Sequence, residues 1–301
     1  MNVQKNIKLY SHAKINLFFN IVSKRQDSYH NIESVMQTIG LRDDVMIKNT
    51  NKSILIKCNN SSIPLDHRNT AYQAADLMVQ RFHLKEGYEI EITKRIPHGA
   101  GLAGGSSNAA AVILGIKSMN NLDISNEELL DLGKSIGADV PYCMMGGTCL
   151  AHGIGEQLTR LKDFSWNHIL LVKPEFSIDT KDIYSLVNKE MYNRYNIDNI
   201  LEKINQDNHL EAIKACRNLL EDIAMEIYPE IKSIKNKILK TGGINAQMTG
   251  SGSAVIGFYP GEMTLNRSAA YFRQIYREVH TTKTTREGIE NGEKAGYNQH
   301  Q

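Results

Sequence analysis

A chain of 301 residues, 41% of them hydrophobic, is long enough for one large domain or two ordinary ones with real cores, and two are expected. The formal charge of +2 is close to balance and no basic run stands out, so neither nucleic acid nor a membrane surface is an expected partner and any anion is bound locally. Four cysteines without a CxxC pair (Cys58, Cys143, Cys149, Cys216) fit reduced thiols better than a disulfide framework or a zinc site. The short apolar run at residues 15–22 carries no cleavage site, and no segment approaches the roughly 18 apolar residues of a membrane span. A soluble, cytoplasmic protein without a metal site of its own is the expectation.

In chain order, "IKLYSHAKINLFFNIV" reads as two strands joined near residues 11–14. "YEIEITKRI" alternates, with Tyr88, Ile90 and Ile92 on one face, and so reads as a strand. It runs into "IPHGAGLAGGSSNAAAVILGI", where four glycines fall between Gly99 and Gly105 and residues 106–119 have helical character, ended by Asn120 and Asn121. Glycine lets main-chain N–H groups approach a ligand, and a helix N-terminus adds free donors and a positive dipole end. The natural guest is a phosphate. "SNEELLDLGKSIG" follows with a capping box, Ser125 and Glu128, and with Gly137 at the place of a left-handed C-terminal cap, which sets Asp139 just past a helix end.

From about Leu161 the texture changes. "NHILLVKPEF" reads as a strand, residues 182–195 as a helix, 208–228 as one long helix, and 230–240 as another ending at Gly242. Two short strands, "AQM" and "AVIGFY", flank a second glycine-bearing loop at residues 249–253. The expected organisation is a first domain over residues 1–160, an α+β second domain over 161–285, and a polar, poorly ordered tail over 286–301.

Two common phosphate motifs fail on this loop. Gly99 and Gly104 have the GxxxxGK[ST] spacing but are followed by Gly105 and Ser106, so the P-loop lysine is missing. Gly99, Gly101 and Gly104 satisfy GxGxxG, yet Asp123, at the right distance to meet a ribose, leads straight into the next helix and not out of a second strand.

The fuller pattern, Pro97 through the glycines to Ser106-Ser107-Asn108-Ala109-Ala110, resembles the phosphate-binding loop of the GHMP kinases, the family of galactokinase, homoserine kinase, mevalonate kinase and phosphomevalonate kinase. "AKINLFFNIVSKRQDSYHNIESVMQTIGLRDDV", "IGADVPYCMMGGTCLAHGIGEQL" and "AQMTGSGSAVIGFY" narrow the resemblance to the branch that phosphorylates a CDP-linked methylerythritol in non-mevalonate isoprenoid synthesis, and it extends to about Thr285. The resemblance implies an α+β, two-domain fold, a ribosomal-S5-like N-terminal domain and a ferredoxin-like C-terminal one, with the active site in the cleft between them. It also implies ATP-dependent phosphorylation of the 2-hydroxyl of 4-diphosphocytidyl-2-C-methyl-D-erythritol, with Mg2+ accompanying ATP, by a monomer or weak homodimer. Another GHMP kinase, of homoserine or mevalonate type, and a non-catalytic nucleotide-binding module are the alternatives.

Phosphoryl transfer needs the γ-phosphate held in line, its charge compensated, and the attacking hydroxyl oriented and relieved of a proton. Asp139 in "GADVP" is either that base or a brace of its turn. Lys14 sits among apolar strand residues, where a lysine is awkward unless paired. The resemblance makes the two the catalytic pair. By the same resemblance Pro97, Gly99, Gly101, Gly104, Gly105, Ser106 and Ser107 cradle the ATP phosphates, while Asn69 and Lys94 lie at the adenine. Tyr29, His30 and Tyr184 hold the cytosine, although aromatic residues of that kind equally suit packing. Asn16 lies near the methylerythritol hydroxyls, and Thr249, Gly250 and Ser251 close over the substrate phosphates. Asn108 stands where many relatives carry aspartate, and no acidic side chain is an obvious metal ligand, so magnesium is expected to be held through phosphates, water and a loop hydroxyl.

Overall fold

In the computed structural model, which describes residues 5–51 and 53–292, the first half is built on an eight-stranded sheet. β1 (Asn6–Lys24) and β2 (His30–Thr50) form a long antiparallel hairpin; β3 (Ile54–Cys58) joins the far edge beyond β4 (Gly87–Thr93). β5 (Thr148–His152) pairs with β2, and β6 (Gln157–Arg160) pairs with β5. Helices α1 (Thr70–Arg81), α2 (Gly104–Met119), α3 (Asn126–Ile136) and α4 (Val140–Met145) belong to this half, whose core sets Ala109, Val112, Ile113 and Ile116 of α2 against Val45, Ile47 and Ile90 of the sheet.

The second half holds a four-stranded antiparallel sheet made of β7 (Ile169–Lys173), β9 (Asn245–Met248), β10 (Val255–Phe258) and β11 (Glu278–Thr282), in the order β11-β7-β10-β9. Helices α5 (Thr180–Ser185), α6 (Asp198–Asn205), α7 (His209–Ala215), α8 (Leu219–Ile227), α9 (Pro229–Lys240) and α10 (Glu262–Phe272) complete it, with a two-residue strand, β8 (Arg217–Asn218), between α7 and α8. The strand order and the two helical crossovers are those of a ferredoxin-like β-α-β-β-α-β unit. Ile169, Leu171, Ile256 and Phe258 of this sheet share a core with Ile15, Leu17, Val35 and Ile39 of β1 and β2. The opposite face packs Leu170, Val172 and Val255 against α8, α9 and α10.

Five expectations are corrected. The N-terminal segment is one continuous strand, not two, with register shifts between His12 and Lys14, Asn16 and Phe18, and Ile21 and Ser23. Residues 11–21 are buried on both faces, which erases the period-two pattern that marks a half-exposed strand. Gly137 has φ 179°, extended and not left-handed, because the chain leads directly into α4. The helix expected over 182–195 stops at Ser185 and is followed only by a 3-10 turn at Lys189–Met191, where Asn188 caps the turn and Asn193 N bonds to Ile21 O at 2.9 Å. The long helix over 208–228 is broken at 216–218, where Arg217 and Asn218 pair with Phe18 and Phe19 of β1 and Asn218 then caps α8.

The last correction concerns the tail. Residues 289–291 form β12 (Ile289–Asn291) on the free edge of β1, which needs main-chain donors and acceptors rather than apolar side chains and so left no hydrophobic signature. Residues 293–301 of that expectation lie outside the described residues.

Candidate active site

The glycine loop connects β4 to α2 at the junction of the two halves. Gly99 and Gly101 have φ of +62° and +73°, and Ala103, the N-cap of α2, has φ 55°, an uncommon left-handed alanine that turns the chain into the helix. The first helical bond runs from Ser107 N to Ala103 O at 2.9 Å, which leaves the amides of Gly104, Gly105 and Ser106 as the free first turn. No acidic side chain occupies that turn. A Cβ on Gly101 would come within 2.3 Å of Thr249 O, so the loop and the 249–253 loop of the other half touch along bare backbone.

Three residues expected at the nucleotide have their side chains engaged by the protein. Ser107 is fully buried and donates its hydroxyl to His12 O at 2.7 Å, tying the helix to β1. Asn69 caps α1, accepting from Ala71 N at 2.8 Å and donating to Pro64 O at 2.7 Å, so both ends of its amide are engaged. Lys94, whose side chain is 5% exposed, pairs with the fully buried Asp43 at 2.5 Å and donates to Asn108 Oδ1 at 3.2 Å. Pro97 is buried at the loop entry. Ser106 is half-buried, with Oγ 4.0 Å from the Cβ position of Gly137, on the side from which "GADVP" approaches.

Asp139 stands at the N-cap of α4, and its side chain makes no capping bond there. Its Oδ2 lies 3.9 Å from Lys14 Nζ; the lysine side chain is 6% exposed and the aspartate 33%. Lys14 is aimed by a relay. Its ammonium donates to Asn16 Oδ1 at 2.8 Å, Asn16 Nδ2 donates to Ser34 Oγ at 2.8 Å, and Ser34 Oγ donates to Phe18 O at 2.7 Å. Asn16 thus spends both ends of its amide inside the protein and positions Lys14, where a substrate contact was expected. Thr249, also expected at the substrate, is fully buried and accepts Asn16 N at 3.0 Å, and Gly250 is buried beside it. Ser251 lies further out, its hydroxyl 2.8 Å from that of Thr180.

Tyr29, His30 and Tyr184 gather at the far end of β1. Tyr29 is 61% exposed at the hairpin tip, whereas His30 is buried against Tyr184 and Tyr192, with ring centroids 5.4 and 6.4 Å away. Burial, reinforced by Lys24, holds the His30 imidazole below its ordinary pKa, so it is neutral at pH 7. Its Nε2 is buried without a protein partner, an uncommon state for a polar atom. Burial and the nearby Asp139 both push the Tyr184 phenol up, which keeps it protonated.

Sequence reasoning missed the supports behind these groups: Ser34 behind Asn16, Asp43 behind the loop, and Asn218, whose Nδ2 donates to Met248 O at 2.7 Å and Gly250 O at 2.9 Å. Asp43 carried no distinctive signal, since it stands in the charged run Arg42-Asp43-Asp44.

The GHMP kinases N terminal domain model matches residues 69–147, and the GHMP kinases C terminal model matches residues 196–278. The 4-diphosphocytidyl-2-C-methyl-D-erythritol kinase of Clostridium tetani is 44% identical over 92% of this chain and 100% of its own length. That of Clostridium novyi is 41% identical over 91% of this chain and 98% of its own. A crystal structure of 4-(cytidine 5'-diphospho)-2C-methyl-D-erythritol kinase superposes with a TM-score of 0.78 at 27% identity, covering 94% of this chain and 99% of that one. Homoserine kinase from Cytophaga hutchinsonii shares the fold at the same TM-score of 0.78 but 15% identity, over 97% and 99% of the two chains. By sequence and by structure the chain belongs to the GHMP kinases, and among them to the family of the 4-diphosphocytidyl-2-C-methyl-D-erythritol kinases.

Proposed function

We propose that the protein transfers the γ-phosphoryl group of ATP to the 2-hydroxyl of 4-diphosphocytidyl-2-C-methyl-D-erythritol, in the cytoplasm, as a step of non-mevalonate isoprenoid synthesis. The observation that carries this reading is the Asp139 carboxylate, free of any capping role and 3.9 Å from a buried ammonium. The hydroxyl gives its proton to Asp139 as its oxygen bonds the γ-phosphorus; the bond from that phosphorus to the β-γ bridging oxygen breaks, and ADP leaves. Lys14 compensates the negative charge as it moves from carboxylate to the attacking oxygen. The free amides of residues 104–106 receive the phosphates at a helix end whose first turn carries no acidic side chain, while Gly101, packed bare against Thr249 O, holds the loop in place.

His30 Nε2, an orphaned ring nitrogen beside Tyr184, supports cytosine recognition: a neutral imidazole meets the base edge while Tyr184, and Tyr29 from the hairpin tip, cover its faces. Ser251 is the residue of the second loop left to reach the substrate phosphates. Magnesium fits as a passenger of ATP. Among the described residues no three His, Cys, Asp or Glu side chains converge, so the nucleotide's own oxygens and the Ser106 hydroxyl would hold it, and bound there it would offset phosphate charge.

The test is ADP release with ATP and magnesium on the cytidine substrate, beside homoserine and mevalonate, for the wild type and Asp139→Asn. Turnover with the cytidine substrate alone, falling by about 10²–10⁴-fold in the variant, is expected. Turnover with another acceptor would overturn the substrate assignment, and an active variant would overturn the role of Asp139.

A further inference from the structure

Asp43 lies on β2, outside the catalytic pair, and is completely buried. Its carboxylate is shared among four donors, and all four flank the glycine loop. Oδ1 accepts Arg95 N at 2.7 Å and Ile96 N at 2.8 Å, where the chain leaves β4. Oδ2 accepts Lys94 Nζ at 2.5 Å and Asn108 Nδ2 at 2.9 Å, the latter from the second turn of α2. One carboxylate therefore grips the loop on both sides of its glycines.

Electrostatics gives the grip a second consequence. Lys94 Nζ sits 2.9 Å from the position a Cβ on Gly104 would occupy, directly beneath the positive end of α2. A cation there is opposed by the helix dipole, and with its side chain 5% exposed it has little water to stabilise it. Asp43 neutralises it. The local charge of the cluster is balanced, the helix end keeps its own positive potential for a ligand, and the ammonium is held where it packs under the loop. The neighbouring Arg95 guanidinium is engaged by Asp44, with Nη1 2.5 Å from Oδ1, and does not compete.

We propose that Asp43 is a positioning residue for the phosphate donor: by clamping both ends of the glycine loop it fixes the spacing at which the free amides of α2 meet the nucleotide's phosphates. The inference rests on the reading of this loop as the ATP phosphate site. It predicts a loss confined to phosphate recognition, because Asp43 touches nothing on the Tyr29, His30 and Tyr184 side.

The experiment is calorimetric binding of ADP and of adenosine to the full-length protein, for the wild type, Asp43→Asn and Asn108→Ala, with steady-state KM for ATP and for the alcohol substrate. The asparagine keeps the size and two acceptor positions of Oδ1 but turns an amide toward Lys94 and Asn108. Asp43→Asn is expected to weaken ADP about 10–100-fold while adenosine changes less than about threefold. KM for ATP follows ADP, and KM for the alcohol stays put. Equal weakening of ADP and adenosine, or an unchanged ADP affinity in the folded variant, would overturn the proposal. Should Asp43→Asn not fold, Asn108→Ala carries the test, since it cuts the link from Asp43 to α2, together with the bonds of Asn108 to Lys94 at 3.2 Å and Ser11 at 2.8 Å, and leaves Asp43 holding the β4 side of the loop: a smaller, phosphate-selective loss supports the clamp and an unchanged ADP-to-adenosine ratio overturns it. A wild type that binds adenosine as tightly as ADP would overturn the phosphate reading of the loop itself, and the clamp with it.

Discussion

Lys14→Met tests the proposed pairing of Lys14 with Asp139 where its physics is most exposed. Methionine matches the buried volume of a side chain that is 6% exposed and removes only the charge and the donor. At the observed 3.9 Å, an ammonium and a charged oxygen interact by about 4 kcal/mol at an effective dielectric near 20 and by about 1 kcal/mol when water screens them fully. Asp139 is 33% exposed, which places the pair between those limits, at about 2–3 kcal/mol, or a loss of roughly 10²-fold in kcat. The variant also strands the buried Asn16 Oδ1, which loses its 2.8 Å donor at a folding cost of about 1–3 kcal/mol. Steady-state kinetics should therefore show kcat down, both KM values nearly unchanged, and a lower urea midpoint. The double variant with Asp139→Asn decides whether the residues act as a unit: together they should lose little more than the worse single variant. A Lys14→Met enzyme keeping more than about a tenth of wild-type kcat, or single effects that multiply in the double variant, would refute the reasoning.

Two further outcomes follow from the same geometry. Gly101→Ala places a methyl group 2.3 Å from Thr249 O on a backbone with φ +73°, so it should cost about 1–2 kcal/mol from conformation alone and raise KM for ATP as the loops part; Gly261→Ala, with nothing within 4 Å and an extended φ of −167°, is the control, costing at most about 1 kcal/mol for an alanine N-cap on α10 and leaving KM for ATP unchanged. At His30, burial holds the folded pKa below the ordinary value, so on acidification the unfolded chain takes the proton first; this contribution to stability is whole above about pH 6.5 and is lost as pH falls below it, at no more than about 1.4 kcal/mol per pH unit. His30→Phe should flatten the fall of Tm between about pH 7 and 5 and raise KM for the cytidine substrate alone, and superimposable Tm curves for the two proteins would count against a buried neutral imidazole.

What the sequence disclosed divides by range. Local signals held: the strand with Tyr88, Ile90 and Ile92 buried, the helix after the glycines, and the bond from Glu128 N to Ser125 Oγ at 3.1 Å. Elements ruled by distant partners were misread. β8 exists because β1 offers Phe18 and Phe19 as pairing partners, and β12 exists because β1 has a free edge; neither condition is written within the segment itself. Of the site, Lys14 and Asp139 were singled out through the family resemblance and the awkward place of a lysine among apolar strand residues, and the fold brings them within 3.9 Å. The residues that aim them were not, since Ser34, Asp43 and Asn218 are ordinary polar residues until the fold supplies their neighbours.

β1 explains why chemistry and packing were hard to separate along that stretch. Leu9 belongs to the core beneath α2, Ile15, Leu17 and Phe18 to the core between the sheets, and Phe19 and Ile21 to the core of the second half. A strand committed to three cores has no solvent face on which to carry polar residues, yet Lys14 is 5% exposed and Asn16 fully buried in its middle. Burying such groups is costly unless each is partnered. The register shifts between His12 and Lys14 and between Asn16 and Phe18 bracket just these residues, locally suspending the alternation of the ladder. That lets Lys14 meet Asp139 and Asn16 meet Ser34 while the hydrophobic residues on either side keep their cores. Polar partners and bulges are thus one device: the strand that joins the two halves also fixes the Lys14 ammonium, so the packing of the halves and the placing of Lys14 beside Asp139 rest on the same residues.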